Sequence, residues 1–113
     1  MSRRLPLLKG TLDLLILKTL SLGASHGFGI VQTIEETTEG VFFVEEGSLY
    51  PALHRLQRKG LVKSRWGISE LRRRAKFYEL TKRGTAQLGR ETADWEVIRD
   101  SVGKVLALGT GRR

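Results

Sequence analysis

EEGSLYPALHRLQRKG, residues 45 to 60, sets a tyrosine and one of the chain's two prolines at the head of a run whose leucines have helical spacing. Leu49, Leu53 and Leu56 stand at i, i+4 and i+7, so one face of a helix is apolar. With Ser48 as the N-cap, Leu49, Tyr50 and Pro51 take the first three helical positions. Backbone N–H groups there have no intrahelical acceptor, and a proline sacrifices no hydrogen bond. Gly47 supplies the entry, and Gly60 caps the C-terminal end after Lys59. The outward sides then carry Ser48, Tyr50, Pro51, His54, Arg55 and Arg58. Free N–H groups, two hydroxyls and guanidiniums one to two turns later suit a phosphate and the major groove of a duplex. Tyr50 has a competing structural role, as an aromatic leaning on its own domain.

The segments after this helix extend the pattern. LVKSRW (61–66) and KFYEL (76–80) read as short strands, and the polar GISELRRRA between them reads as the loop of a hairpin with a basic tip. Arg72, Arg73 and Arg74 are consecutive, so on a loop they point different ways and suit a phosphate backbone or a minor groove. Lys63 and Arg65 alternate on the first strand and Lys76 flanks the second, each a candidate for a further backbone contact. Trp66 reads as a core anchor joining the hairpin to the body.

Upstream, Thr11 to Leu22 is a densely apolar helix stopped by Gly23, and Ser25 is placed to cap the next helix, which runs from His26 to about Thr38. Its apolar set is Phe28, Ile30, Val31 and Ile34. Gly27 and Gly29 weaken the helix start, which points to close packing, and His26 reads as a polar group at that start. Gly40 ends the helix, and VFFVEE follows as a brief strand or extended loop.

Downstream, Thr81 caps a last helix reaching about Leu108. Leu88, Trp95 and Val102 recur every seven residues, with Ile98 and Val105 as a second row, a stripe suited to pairing with another helix. At 113 residues the chain can bury only one modest core, already filled by the elements ahead, so a second copy of the chain is the expected partner. The expected organisation is a DNA-binding unit over 7–80, a dimerisation helix over 81–108 and a flexible tail over 109–113. The fold class is mostly α with a small β-hairpin, a winged helix-turn-helix plus a long C-terminal helix.

The net charge is +8, and its location is informative. Residues 54 to 83 hold eleven Lys and Arg against Glu70 and Glu79, while the rest of the chain is close to neutral. One contiguous segment therefore supplies the whole excess, as a localised polyanion-binding surface requires.

Several classes are excluded. The chain has no cysteine, so thiol chemistry, disulfides and thiolate metal sites are absent. His26 and His54, the only histidines, have no acidic partners at metal-site spacing. GASHGFG is neither GxGxxG nor a P-loop. No catalytic residue, metal or cofactor is expected. Lys9, Asp13 and Lys18 interrupt the N-terminal apolar stretch, so the chain is expected to be soluble and cytoplasmic, without membrane association.

LLKGTLDLLILKTLSLGASHGFGI, VEEGSLYPALHRLQRKGLV and SELRRRAKFYELTKRG together resemble the PadR family of bacterial transcriptional regulators over roughly residues 7 to 106. The resemblance implies a winged helix-turn-helix, one C-terminal helix through which two chains pair, and usually repression. It places Ser48, Tyr50, Pro51, His54 and Arg55 on the recognition helix and Arg72 to Arg74 on the wing. It also implies a small aromatic or drug-like effector near the dimer interface, where Trp95 can stack on a flat ligand. Many relatives are rich in asparagine or glutamate before the wing arginines, whereas this chain reads ISELRRRA. The expected partner is double-stranded DNA with inverted half-sites; the alternative is a winged helix that binds RNA or a protein.

Overall fold

The structure is a computed structural model, and it describes Arg4, Leu5, Leu7 and residues 10–109. The elements are α1 (Thr11–Leu20), β1 (Ser25–His26), α2 (Gly27–Thr37), α3 (Glu46–Arg58), β2 (Val62–Ile68), β3 (Arg74–Leu80) and α4 (Lys82–Leu106). Four helices surround a three-stranded antiparallel sheet of order β1-β3-β2, which is the expected winged helix-turn-helix with a long final helix. From residue 110 on, the expected tail lies outside the described residues. Among the described residues, no helix is long and apolar enough to cross a membrane.

The core forms where the apolar faces of the first three helices meet the base of the hairpin. Ile16 and Leu17 of α1, Ile30 of α2, Leu49, Leu53 and Leu56 of α3, and Val62 of β2 are all fully buried. Each such side chain contributes roughly 1.5–3 kcal/mol by leaving water. Ala52 joins the α3 set, and Val44 anchors the segment before α3 in the same cluster. That segment is a loop rather than a strand, tied by the Leu5 N–H donating to the Val41 carbonyl at 2.9 Å.

Several expectations are corrected. α1 ends at Leu20, because the N–H groups of Ser21, Leu22 and Gly23 turn back onto carbonyls of its last turn, and Leu22 is left exposed. Ser25 does not cap α2. It is drawn into β1 opposite Tyr78, and His26 caps instead, its Nδ1 accepting from the Gly29 N–H at 3.1 Å. Phe28 is 66% exposed and is not part of the core.

The start of α3 also moves. Glu45 is the N-cap, and its carbonyl accepts from both Ser48 and Leu49 at 2.9 Å, so Ser48 is already inside the helix. Pro51 is therefore a sixth-position residue rather than a third-position one. It has no N–H to offer the Gly47 carbonyl, but Gly47 is exposed and water can reach that oxygen. Trp66 is not a core anchor. It shares a face of the hairpin with buried Val62, but that face runs past the edge of the core, and the indole is 57% exposed.

α4 begins where expected. The Thr81 hydroxyl accepts from the Gly84 N–H at 3.0 Å and donates to the Gly60 carbonyl at 2.7 Å, rooting the helix beside the end of α3. Leu88 is half-buried against the core. Beyond Glu91 every residue to Gly109 is exposed.

Candidate nucleic-acid interface

Burial of Leu49, Ala52, Leu53 and Leu56 fixes how α3 is turned. Gly47, Pro51, His54 and Arg58 occupy the opposite stripe and are exposed. Tyr50 and Gln57 form the flank toward the hairpin, where the Ser64 hydroxyl donates to Gln57 Oε1 at 3.2 Å. Ser48 and Arg55 form the flank toward α1. There the Arg55 Nη2 donates to Asp13 Oδ1 at 2.7 Å. The six expected residues of this helix thus divide among three directions, with Pro51, His54 and Arg58 pointing straight out.

Tyr50 lies close over the start of α2. A Cβ on residue 27 would come within 2.5 Å of the Tyr50 hydroxyl, so Gly27 admits the ring. The close packing expected at Gly27 is present, and Tyr50 combines a structural contact with an exposed edge.

The hairpin register sorts the wing residues. Ser64↔Tyr78, Trp66↔Lys76 and Ile68↔Arg74 share the face that begins at buried Val62, while Lys63↔Glu79 and Arg65↔Phe77 lie on the other. Trp66, Arg74 and Lys76 accordingly border one groove with Tyr50 and His54. The Arg74 guanidinium sits 4.6 Å from the Trp66 ring centre and the Lys76 ammonium 5.8 Å from it. Lys63 and Arg65 are turned away from that groove side and flank Glu79 at 4.0 and 3.7 Å. The structure therefore does not bring these two onto the face shared by Arg74 and Lys76.

The turn joining the strands is tight. The Arg72 N–H donates to the Ser69 carbonyl at 2.9 Å, and the Ser69 N–H donates to the Arg73 carbonyl at 2.8 Å. Arg72 adopts φ 61°, a left-handed conformation more usual for glycine in such a three-residue loop. Arg72, Arg73 and Arg74 are exposed, and among the described residues neither they nor Arg58 enter an ion pair. A row of unpaired guanidiniums thus stands beside the outward stripe of α3.

Sequence reading missed Asp13, Trp66 and the α2 entry as parts of this surface. Asp13 had one visible signal, as the lone acid of a helix that is mostly apolar. Among the described residues, no cluster of three or more His, Cys, Asp and Glu could hold a metal.

The description "Transcriptional regulator PadR-like family" belongs to the family model that matches residues 16–90. A transcriptional regulator from Clostridium thermocellum superposes with a TM-score of 0.78 at 30% identity, over 85% of this chain and 93% of its own. A PadR family transcriptional regulator from Eggerthella lenta superposes with a TM-score of 0.76 at 31% identity, over 89% and 86%. The transcriptional regulator YqjI of Escherichia coli is 32% identical over 104 residues, which are 92% of this chain but 48% of YqjI. The chain spans about half the length of that relative. Half-exposed helix face, basic wing and matching fold together give one conclusion: the chain belongs to the PadR-like family of transcriptional regulators and is not an enzyme.

Proposed function

We propose that the protein is a homodimeric, sequence-specific repressor that binds double-stranded DNA in the cytoplasm. Residues 7–80 form the DNA-binding unit and residues 81–108 pair two copies. The observation that carries this reading is the adjacency of two basic elements, the outward stripe of α3 with His54 and Arg58, and the unpaired wing arginines Arg72, Arg73 and Arg74. α3 enters a major groove with Arg55 on its α1 flank, Ser48 and Tyr50 meet the phosphate walls, and the wing lies on the neighbouring backbone or minor groove. Lys76 supports the groove side, whereas Lys63 and Arg65 face outward and add to the general field.

Pairing is supported by the exposed apolar residues of α4. Trp95, Ile98, Val102 and Val105 are 36%, 53%, 51% and 64% exposed, a costly stripe for a helix that stays alone. Leu88 lies at the root of the same stripe and serves mainly its own core. Two paired helices bring the Trp95 rings near one another, and a small aromatic or drug-like effector stacking there would shift the two DNA-binding units.

Selection from random duplexes tests the reading. The expected product contains two inverted half-sites about one helical turn, roughly 34 Å, apart. Recovery of no palindrome, or equal binding to arbitrary RNA, would favour a winged helix for another partner.

A further inference from the structure

Among the described residues, Arg55 is the one arginine of α3 held by a carboxylate, and that carboxylate comes from another helix. Its Nη2 meets Asp13 Oδ1 at 2.7 Å; the Arg55 side chain is 44% exposed and that of Asp13 18%. A guanidinium has five N–H donors in a rigid fork, and this single contact tethers one of its nitrogens to α1 while leaving the others available. The remaining donors lie on the flank of α3, beside the stripe of Pro51, His54 and Arg58. Asp13 is in the first turn of α1, which also packs against α4, so the carboxylate is set by the body of the protein rather than by α3 itself.

Arg58 offers a contrast. It lies on the same helix, is exposed, and has no acidic partner among the described residues. An unpaired cation attracts the phosphates of any sequence, and that attraction is the non-specific part of binding. A cation offset by a nearby carboxylate attracts arbitrary phosphates less. It gains most where the duplex presents an acceptor in register with the tethered fork.

We propose that Asp13 is a positioning residue for DNA specificity: it holds Arg55 in one orientation for the registered site and withholds its charge from other duplexes. The inference rests on the DNA-binding reading above. It makes Asp13, which touches no DNA in this arrangement, a determinant of discrimination.

The test uses the full chain, the duplex recovered by selection, and a scrambled duplex of the same composition, titrated over a potassium chloride series. For Asp13→Asn the expected result is a gain of roughly 3- to 10-fold in affinity for the scrambled duplex, with a salt slope steeper by about one. The ratio of specific to non-specific affinity falls accordingly. Asp13→Asn combined with Arg55→Ala should behave as Arg55→Ala alone. An unchanged ratio, or a parallel fall of both affinities with thermal stability, would overturn the proposal and leave a purely structural pair. Should Asp13→Asn fail to fold, Arg55→Lys serves: it keeps the charge and loses the planar fork, so the ratio should fall with the salt slope unchanged, and an unchanged ratio overturns the idea. A selection that recovers no duplex would instead overturn the DNA-binding reading itself.

Discussion

Gly84 lies directly against the carbonyl oxygen of Leu61, and a Cβ at residue 84 would overlap that oxygen while also meeting the Leu80 side chain at 3.0 Å. The same carbonyl accepts from the Thr81 N–H at 3.1 Å, so the root of α4 is clamped to the end of the α3–β2 connection. Backbone cannot swing aside as a side chain can. Gly84→Ala should therefore cost about 1–3 kcal/mol, read as a lowered urea midpoint. Gly89, on the same helix, has open space where a Cβ would go. Gly89→Ala should raise stability by up to roughly 1 kcal/mol, and both variants losing stability equally would contradict this account.

Arg72 holds a left-handed backbone at φ 61°, which costs a non-glycine residue about 1–2 kcal/mol. Arg72→Gly should relieve part of that cost and raise the melting temperature. It should also remove one phosphate contact and lower the salt slope of duplex binding by about one. Calorimetry and anisotropy on one preparation separate the two effects.

Trp66 lies beneath two cations of the wing. Exposed cation–π contacts contribute about 0.5–1 kcal/mol, so Trp66→Leu should change stability little while leaving Arg74 and Lys76 without a platform. The expected outcome is a several-fold loss of duplex affinity, largely restored in Trp66→Tyr. Equal affinity for wild type and Trp66→Leu would show that the platform is dispensable.

Burial, reinforced by neighbouring Tyr50, pushes the Tyr78 phenol above its ordinary value of 10.0. The folded state holds this proton more tightly than the unfolded chain does. Its contribution to stability is thus complete below about pH 10 and is lost as pH rises through the folded value. Urea midpoints should fall as pH rises above about 10, and Tyr78→Phe should flatten the decline. An equally steep decline in the variant would assign it to other groups.

Trp95→Asp places a carboxylate in the proposed pairing stripe of α4 while disturbing nothing in the domain core, since Trp95 is outside it. Burying an unpaired charge is costly, so sedimentation should show a monomer with an unchanged helical circular dichroism signal. A dimer surviving at micromolar concentration would move the interface elsewhere.

The elements with their own periodicity were legible from sequence. Leu49, Leu53 and Leu56 gave α3 its buried face, Thr81 marked the start of α4, and alternation in KFYEL gave β3. What escaped depends on partners distant in the chain. β1 is two residues long and exists only because β3 offers an edge at Tyr78 and Phe77. The N-cap moved from Ser48 to Glu45 because Gly47 and Ser48 tolerate helical angles and the Glu45 carbonyl has two donors above it. Trp66 has the correct strand phase, but phase cannot say where the core stops. Arg55 looked free because its partner lies 42 positions away.

The β1–β3 pairing carries a last consequence. Ser25 and His26 join the entry of α2 to the strand that returns from the wing tip, so helix-turn-helix and wing share one sheet. Like the jaw of a caliper, such a head keeps its profile under load. In the dimer proposed above, an effector has little prospect of reshaping either jaw, and the adjustable quantity is the gap between the two.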